Sequence, residues 1–240
     1  DPEMSRGLGD VYKRQELYHA HAQRLALMLQ NQTEEEFADS RFQVLSELTR
    51  LRQLCCDPAL VYENYEGGSA KLDLCIELIQ SAVESGHKIL LFSQFTSMIE
   101  ILTARLQEES ISYFVLQGST KKEQRAQMVE QFNRDDTSVF CISLKAGGTG
   151  LNLTGADIVI HYDPWWNVAV ENQATDRAHR IGQKNVVTVY KLIAKGTIEE
   201  KIIKLQQMKK ELAEEILSGD EIKTASFQRE ELLELLEERF

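Results

Sequence analysis

The middle of the chain alternates short apolar segments with helical segments of about a dozen residues. This alternation is typical of a parallel sheet whose strands are joined by helices. In the run KILLFSQ at 88–94, polar residues do not alternate with apolar ones, as expected for a strand that is buried on both faces. We therefore predict the α/β class, with a doubly wound parallel sheet in a domain of residues 67–195. The predicted strands are 88–94, 112–116, 138–144, 157–162 and 186–193, and the predicted helices are 71–83, 96–107, 121–133 and 167–180.

Helical patterns flank the predicted sheet on both sides. Apolar residues recur at three- and four-residue steps over 16–60, and Asp57-Pro58 interrupts the pattern. A long amphipathic segment covers 197–217, and a short one covers 230–238. We predict helical flanks at 16–66 and 196–240. Residues 1–15 show neither periodicity nor an apolar face, and we expect them to be a non-native leader.

The acidic charge lies in the flanks. The chain has 27 basic and 38 acidic side chains, a net charge of −11, which divides into −7 over 1–87, +1 over 88–195 and −5 over 196–240. This distribution excludes a diffusely basic nucleic-acid binder but leaves a local site open in the nearly neutral middle. The four cysteines form no C-x-x-C pair, so we expect no metal site and a reducing compartment. Without a long apolar run we expect no membrane association, and the few thiols favour a cytoplasmic location.

Complete nucleotide-binding and nucleophile motifs are missing from the sequence. The nearest approach to a Walker A loop is Gly150 to Gly155, but Ala156-Asp157 follow where lysine and serine or threonine are required. A dinucleotide fingerprint would need glycine in place of Leu153. There is no G-x-S-x-G elbow and no acidic pair at a strand end for magnesium. An independent nucleotide-binding oxidoreductase is therefore disfavoured.

A cluster of donors lies on the last predicted helix of the sheet domain. Gln173, Arg177 and Arg180 fall within an arc of roughly 60° at helical periodicity. One interpretation is a solvated face with surface ion pairs to Glu171 and Asp176. The other is an anion site, because arginine offers a planar fork of donors that suits phosphate oxygens.

Four segments follow predicted strands at their carboxyl ends. They are Ser93-Gln94, Gln117 to Thr120, the glycine-rich Ser143 to Asn152, and Asp163 to Asn167. Each alone fits an ordinary turn, and the adjacent tryptophans of the last segment fit simple burial. Because the carboxyl ends of parallel strands share one edge, where open α/β sheets bind ligands, we predict that the four segments and the arginines form one site.

With these residues in view, the chain resembles the C-terminal helicase lobe of the Swi/Snf-type DNA-dependent ATPases, within the superfamily-two helicases. The resemblance covers about residues 45–220 and is most specific at QATDRAHRIGQ, residues 173–183. Val168 departs from the family, which usually has proline there. Further matching segments are LTRLRQLCCDPAL (48–60), KILLFSQFTSMIEIL (88–102), LQGST (116–120), SLKAGGTGLNL (143–153), DPWWN (163–167) and GTIEEKI (196–202).

The resemblance implies a RecA-like second lobe of the P-loop NTPase type that lacks its own Walker A loop. It implies ATP with Mg²⁺ as cofactor, held mostly by an N-terminal RecA-like lobe that carries Walker A and B. Arg177 and Arg180 correspond to arginine fingers that reach the γ-phosphate, and Gln173, Gly148 and Gly150 lie near the nucleotide.

The resemblance also implies contacts to the backbone of double-stranded DNA, and a C-terminal helix that braces the lobes. The expectation is one half of an ATP-driven DNA translocase that is inactive as an isolated chain. The alternative is a non-catalytic α/β module of the same fold, whose acidic helical flanks dock a protein partner. The residues expected at the DNA are Ser93, Gln94, Gly118, Ser119, Thr120, Ser143, Lys145, Gly147, Trp165, Trp166 and Asn167.

Overall fold

The fold is given by a computed structural model of the chain. It describes the backbone of residues 2–144, 146, 151–178, 185–216 and 229–236, and side chains within these ranges from residue 13 to 208 and at 229, 230 and 232–236. The chain forms two compact units, one of residues 71–193 and one that combines 1–70 with 194–240. The sequence-based boundaries lie at 66/67 and 195/196.

The 71–193 unit contains a five-stranded parallel sheet, which confirms the predicted fold class. Its strand order is β2-β3-β1-β4-β5. The strands are β1 (Ile89–Ser93), β2 (Tyr113–Leu116), β3 (Val139–Ser143), β4 (Ile158–His161) and β5 (Thr188–Lys191).

Eight helices are described, four of them around this sheet. The path from β1 to β2 and the path from β2 to β3 run in opposite directions across the sheet. Right-handed crossovers therefore place their connecting helices on opposite faces, as in a doubly wound sheet. The helices are α1 (Pro2–Gln30), α2 (Glu34–Cys56), α3 (Ala70–Glu84), α4 (Thr96–Glu108), α5 (Lys122–Arg134), α6 (Val168–Thr175), α7 (Ile198–Ile216) and α8 (Arg229–Leu236).

The central strands supply the core of the sheet unit. All five residues of β1 and of β3 are buried, as expected for sequences that are apolar up to a final serine. Phe132 from α5 packs against Phe140 at a ring distance of 5.2 Å. Lys88, just before β1, lies 4.3 Å from the Phe132 ring and donates to the carbonyl of Asp135, 2.6 Å away. A cation thus satisfies a carbonyl at the carboxyl end of α5.

Helix α6 is shorter than predicted. It ends at Thr175, so Arg177 lies in the following turn and not on the helix. The amides of Arg177 and Ala178 donate to carbonyls three residues back, which tightens the chain away from α-helical geometry. The prediction that Gln173 and Arg177 share one helical arc is therefore wrong. Arg180 lies outside the described residues.

The N-terminal helical pattern is divided in two by a capping box. The Thr33 hydroxyl accepts the Glu36 amide at 3.3 Å, and the Glu36 carboxylate accepts the Thr33 amide at 2.8 Å. Hydrogen bonding to the Thr33 backbone lowers the pKa of Glu36. The signal T-x-x-E was present in the sequence. Helix α1 begins at Pro2, so the backbone of 2–15 is helical, and the non-native origin of residues 1–15 stays a prediction.

The helices of the second unit connect both ends of the chain. The Tyr18 hydroxyl accepts the Ile198 amide at 2.6 Å, and Arg229 Nε donates to the Leu29 carbonyl at 2.8 Å. Arg229 thus satisfies a terminal carbonyl of α1. None of the helices in the described part of the chain combines the length and apolar character needed to cross a membrane.

Candidate functional site

Four loops lie at one edge of the sheet. Strands β2, β3, β1 and β4 are parallel neighbours, so the segments that follow them emerge side by side. The predicted grouping of these segments is thus what the topology produces. Lys145, Gly147, Gly148 and Gly150 of the glycine-rich segment lie outside the described residues.

The loops after β1 and β4 are joined by Asp163. Its buried carboxylate accepts the Ser93 hydroxyl at 2.6 Å and the Gln94 amide at 3.3 Å. The buried Ser143 hydroxyl accepts the Ala146 amide at 3.3 Å. The hydroxyls of Ser93 and Ser143 thus hold the loops internally.

The loop after β2 presents its backbone to solvent. Gly118 and Ser119 are exposed, and the Thr120 hydroxyl accepts the Gln117 amide at 3.1 Å. Arg125 of α5 donates to the carbonyls of Thr120, at 2.9 Å, and Gly118, at 3.2 Å. Sequence reasoning missed Arg125, which stiffens this loop from α5, five residues after Thr120.

The loop after β4 holds the adjacent tryptophans. Trp165 and Trp166 are half-buried and Asn167 is exposed, and Trp165 packs against the apolar core of the sheet unit. The Asn167 side chain accepts the Ala169 amide at 2.9 Å and so caps α6. The Trp165 amide donates to Glu171 at 2.7 Å.

Glu171 lies inside the fold. It is 1% exposed and pairs with Lys191 of β5 at 2.6 Å, so the prediction of a surface ion pair at Glu171 is wrong. Nearby, His161 accepts or donates a 3.0 Å hydrogen bond with Thr175. The pKa of His161 is lowered to about 4, mainly by burial; the charge of Glu171 opposes this shift, and that of Lys191 adds to it.

The arginine turn meets the end of the glycine-rich segment. The Arg177 carbonyl accepts the Leu153 amide at 3.0 Å. The Arg177 side chain is 2% exposed, whereas Gln173 is exposed on α6. Asn133 of α5 holds the same segment, because it donates to the Asn152 carbonyl at 2.8 Å and accepts the Gly155 amide at 2.9 Å. Asn133 was also missed by sequence reasoning.

Two side chains of the kind that bind phosphate oxygens lie in the described part of this region, the exposed Gln173 amide and the buried Arg177 guanidinium. Among the described residues, no group of three or more histidine, cysteine, aspartate and glutamate side chains is placed to hold a metal ion.

Comparison with known proteins agrees with this architecture. Residues 70–182 match the family model of the helicase conserved C-terminal domain. The Sulfolobus solfataricus SWI2/SNF2 ATPase C-terminal domain superposes with a TM-score of 0.73 at 31% identity, covering 95% of this chain and 94% of that one. Sheet topology, edge loops and sequence match together define a RecA-like helicase C-terminal lobe. More narrowly, the chain belongs to the SWI2/SNF2 family of ATPases.

Two longer proteins share the same region. An uncharacterized ATP-dependent helicase of Mycoplasma pneumoniae is 45% identical over 202 residues, which is 82% of this chain but 19% of that protein. The Sulfolobus solfataricus SWI2/SNF2 ATPase core in complex with double-stranded DNA matches with a TM-score of 0.71 at 33% identity, over 86% of this chain and 43% of that one. The chain thus spans about a fifth of the curated relative and under half of the core bound to DNA.

Proposed function

We propose that the chain is the second motor lobe of an ATP-dependent double-stranded DNA translocase. It supplies arginine side chains to ATP bound on a partner RecA-like lobe and grips the DNA backbone with its edge loops. The observation that carries the proposal is the contact between the Arg177 carbonyl and the Leu153 amide, since it joins the arginine turn to the glycine-rich segment. Both are expected at the nucleotide.

In this proposal the chain contributes charge and positioning to hydrolysis. ATP with Mg²⁺ supplies the phosphoryl group and the metal charge, and the Walker motifs of the partner lobe hold most of both. Arg177 and Arg180 place guanidinium donors against the γ-phosphate oxygens, with Gln173, Gly148 and Gly150 beside them. Because Arg177 is 2% exposed, this role requires its side chain to turn outward when the partner lobe closes.

The edge loops are the proposed DNA grip. Gly118 and Ser119 present exposed backbone, and Trp165, Trp166 and Asn167 lie at or near the surface. Ser93, Gln94, Thr120, Ser143, Lys145 and Gly147 complete the proposed grip. Contacts of this kind read the phosphate backbone without sequence specificity, so affinity for a duplex should fall steeply with salt.

Arg180→Ala tests the arginine role in a protein that carries both lobes. We expect turnover to fall by about 10³-fold or more, with a much smaller loss of ATP affinity, because a finger acts mainly in the transition state. Arg134→Ala, which removes an exposed arginine paired with Glu130, is the matched control. Equal losses of turnover and ATP affinity would contradict the proposal.

The isolated chain tests whether ATP hydrolysis requires the partner lobe. We expect no ATP turnover from it, with or without duplex DNA, because the Walker motifs are assigned to the partner lobe. A DNA-binding titration at two salt concentrations should show salt-dependent affinity. DNA-stimulated hydrolysis by the chain alone would refute the two-lobe assignment. Absence of salt-dependent DNA binding would favour the protein-interaction module.

A further inference from the structure

A buried carboxylate anchors the tryptophan loop, defined here as residues 163–167. Both oxygens of Glu171 have partners: Oε1 accepts the Trp165 amide at 2.7 Å and Oε2 accepts Lys191 Nζ at 2.6 Å. The side chain of Glu171 is 1% exposed, and that of Lys191 is 37% exposed. Burying a carboxylate is costly unless it is paired and hydrogen-bonded, and here it is both.

The Glu171 carboxylate binds a segment of backbone that is not part of the sheet. β4 ends at His161, and the tryptophan loop follows without regular structure. Asp163 fixes the start of the loop to the end of β1, through the Ser93 hydroxyl and the Gln94 amide. Glu171 holds the loop two residues later, immediately before the half-buried Trp166.

Glu171 also lies on the helix that leads to the arginine turn. One turn of α6 carries Glu171 inward and Gln173 outward, and α6 ends two residues before Arg177. We infer that Glu171, held by Lys191, is a positioning residue that ties the tryptophan loop to α6. If the proposed function holds, this contact couples the nucleotide side of the edge to its DNA side. The DNA part of the inference rests on the proposed function, and the loop part does not.

The chain contains its own reporter for this loop. Its two tryptophans are Trp165 and Trp166, so tryptophan fluorescence observes this loop alone. Glu171→Gln keeps the size of the side chain but removes the charge that binds both partners. We expect the population of the loosened loop to rise about tenfold or more, since a charge-assisted hydrogen bond is lost. Emission should shift to the red and acrylamide quenching should accelerate.

Two further variants make the experiment decisive. Glu130→Gln removes the same charge from an exposed 2.7 Å pair with Arg134 on α5 and should leave emission and quenching as in wild type. Lys191→Met keeps the Glu171 carboxylate on the Trp165 amide and should produce a smaller change in the same direction. If far-ultraviolet circular dichroism shows that Glu171→Gln does not fold, Lys191→Met is the variant that tests the inference. Wild-type emission and quenching in the folded variants would overturn the inference.

Binding of a short DNA duplex by the 240-residue chain separates the claim about the loop from the claim about coupling to DNA. We expect Glu171→Gln to weaken duplex binding by about threefold or more, because a smaller fraction of the chain holds the competent loop. The salt dependence should stay the same, since no phosphate contact is removed. Changed fluorescence with unchanged DNA affinity would overturn the coupling to DNA. A wild-type chain that does not bind duplex would refute the proposed function while the loop result stands.

Discussion

At the scale of single residues, His161 and Glu171 belong to one buried network. Burial favours the neutral form of the His161 ring, whereas the charge of Glu171 favours the protonated form. The His161 ring stacks on Phe92 at 5.4 Å and contacts the Thr175 hydroxyl, while Lys191 and Glu171 act on its charge. Burial dominates and lowers its pKa, so the ring is neutral at pH 7. The network therefore favours the folded chain only above the pH range in which the His161 ring takes up a proton.

We expect this network to make folding sensitive to mild acid. Below about pH 6.5 the unfolded chain binds a proton at His161 that the folded chain, with a pKa of about 4, does not. The free energy of unfolding should therefore fall as pH is lowered from about 6.5 to 4, by up to about 1.4 kcal/mol per unit. Urea unfolding at several pH values would measure it. His161→Gln should lose this part of the slope, and an unchanged slope would contradict the assignment.

At the scale of elements, the start of α7 shows how a short motif fixes a helix. The GTIEEKI segment begins with Gly196, whose φ of +70° lies in the left-handed region. The Glu199 carboxylate, fully buried, accepts the Ala194 amide at 2.7 Å, and the Thr197 hydroxyl donates to the Ala194 carbonyl at 2.7 Å. Glu200 accepts the Gly196 amide at 3.0 Å. The motif therefore locks the approach to the helix.

Neighbouring glutamates of this motif should differ in their effect on stability. We expect Glu199→Ala to lower the free energy of unfolding by about 2 kcal/mol, because a buried amide loses a charged acceptor. Glu200→Ala removes a hydrogen bond in an exposed position and should cost less than about 1 kcal/mol. Chemical denaturation of the two variants measures the difference. Equal losses would show that burial does not set the strength of these contacts.

Sequence patterns predicted the elements better than their ends. The strands β1 and β3 were readable because a fully buried strand needs no polar residue, and α3 because its apolar face is regular. Strand β5 was predicted over 186–193 but spans Thr188–Lys191 with exposed side chains, as an edge strand bonded to β4 alone can. Just beyond the end of α6, the Arg177 carbonyl binds the Leu153 amide, a contact remote in sequence that periodicity could not reveal.

The candidate site was predictable in its position but not in its internal bonding. Parallel strands must end at one edge, so the grouping of Ser93, Thr120 and Trp165 followed from the fold class alone. The roles of Arg125 and Asn133 did not, because each depends on a helix packed against a loop of another strand. Charged residues such as Glu171 were predicted to be exposed to solvent. That prediction fails where a buried charge has partners within the fold.

At the scale of the whole molecule, the four cysteines divide evenly between the two units. Cys55 and Cys56 belong to the helical unit, Cys75 and Cys141 to the sheet unit, and all four are buried thiols. Burial raises the pKa of Cys75 to about 12 and raises that of Cys141 as well. The thiolate forms of Cys75 and Cys141, which are the reactive species, are thus scarce in the folded chain.

We expect a thiol reagent at pH 8 to modify none of the four cysteines in the folded chain and all of them in denaturant. Across a denaturant series, modification of Cys55 and Cys56 would follow the opening of the helical unit, and Cys75 and Cys141 the sheet unit. Mass spectrometry of the labelled peptides assigns each event. Rapid labelling of Cys75 or Cys141 without denaturant would contradict their burial.

The helical unit is assembled from both ends of the chain, and this has a consequence for synthesis. α1 and α2 leave the ribosome before their partners do, because Ile198, which binds Tyr18, and Arg229, which binds Leu29, are translated some 180 to 200 positions later. The intervening sheet unit is made before those partners exist. A nascent chain therefore passes through a stage in which α1 and α2 have been made and their contacts to Ile198 and Arg229 cannot yet form.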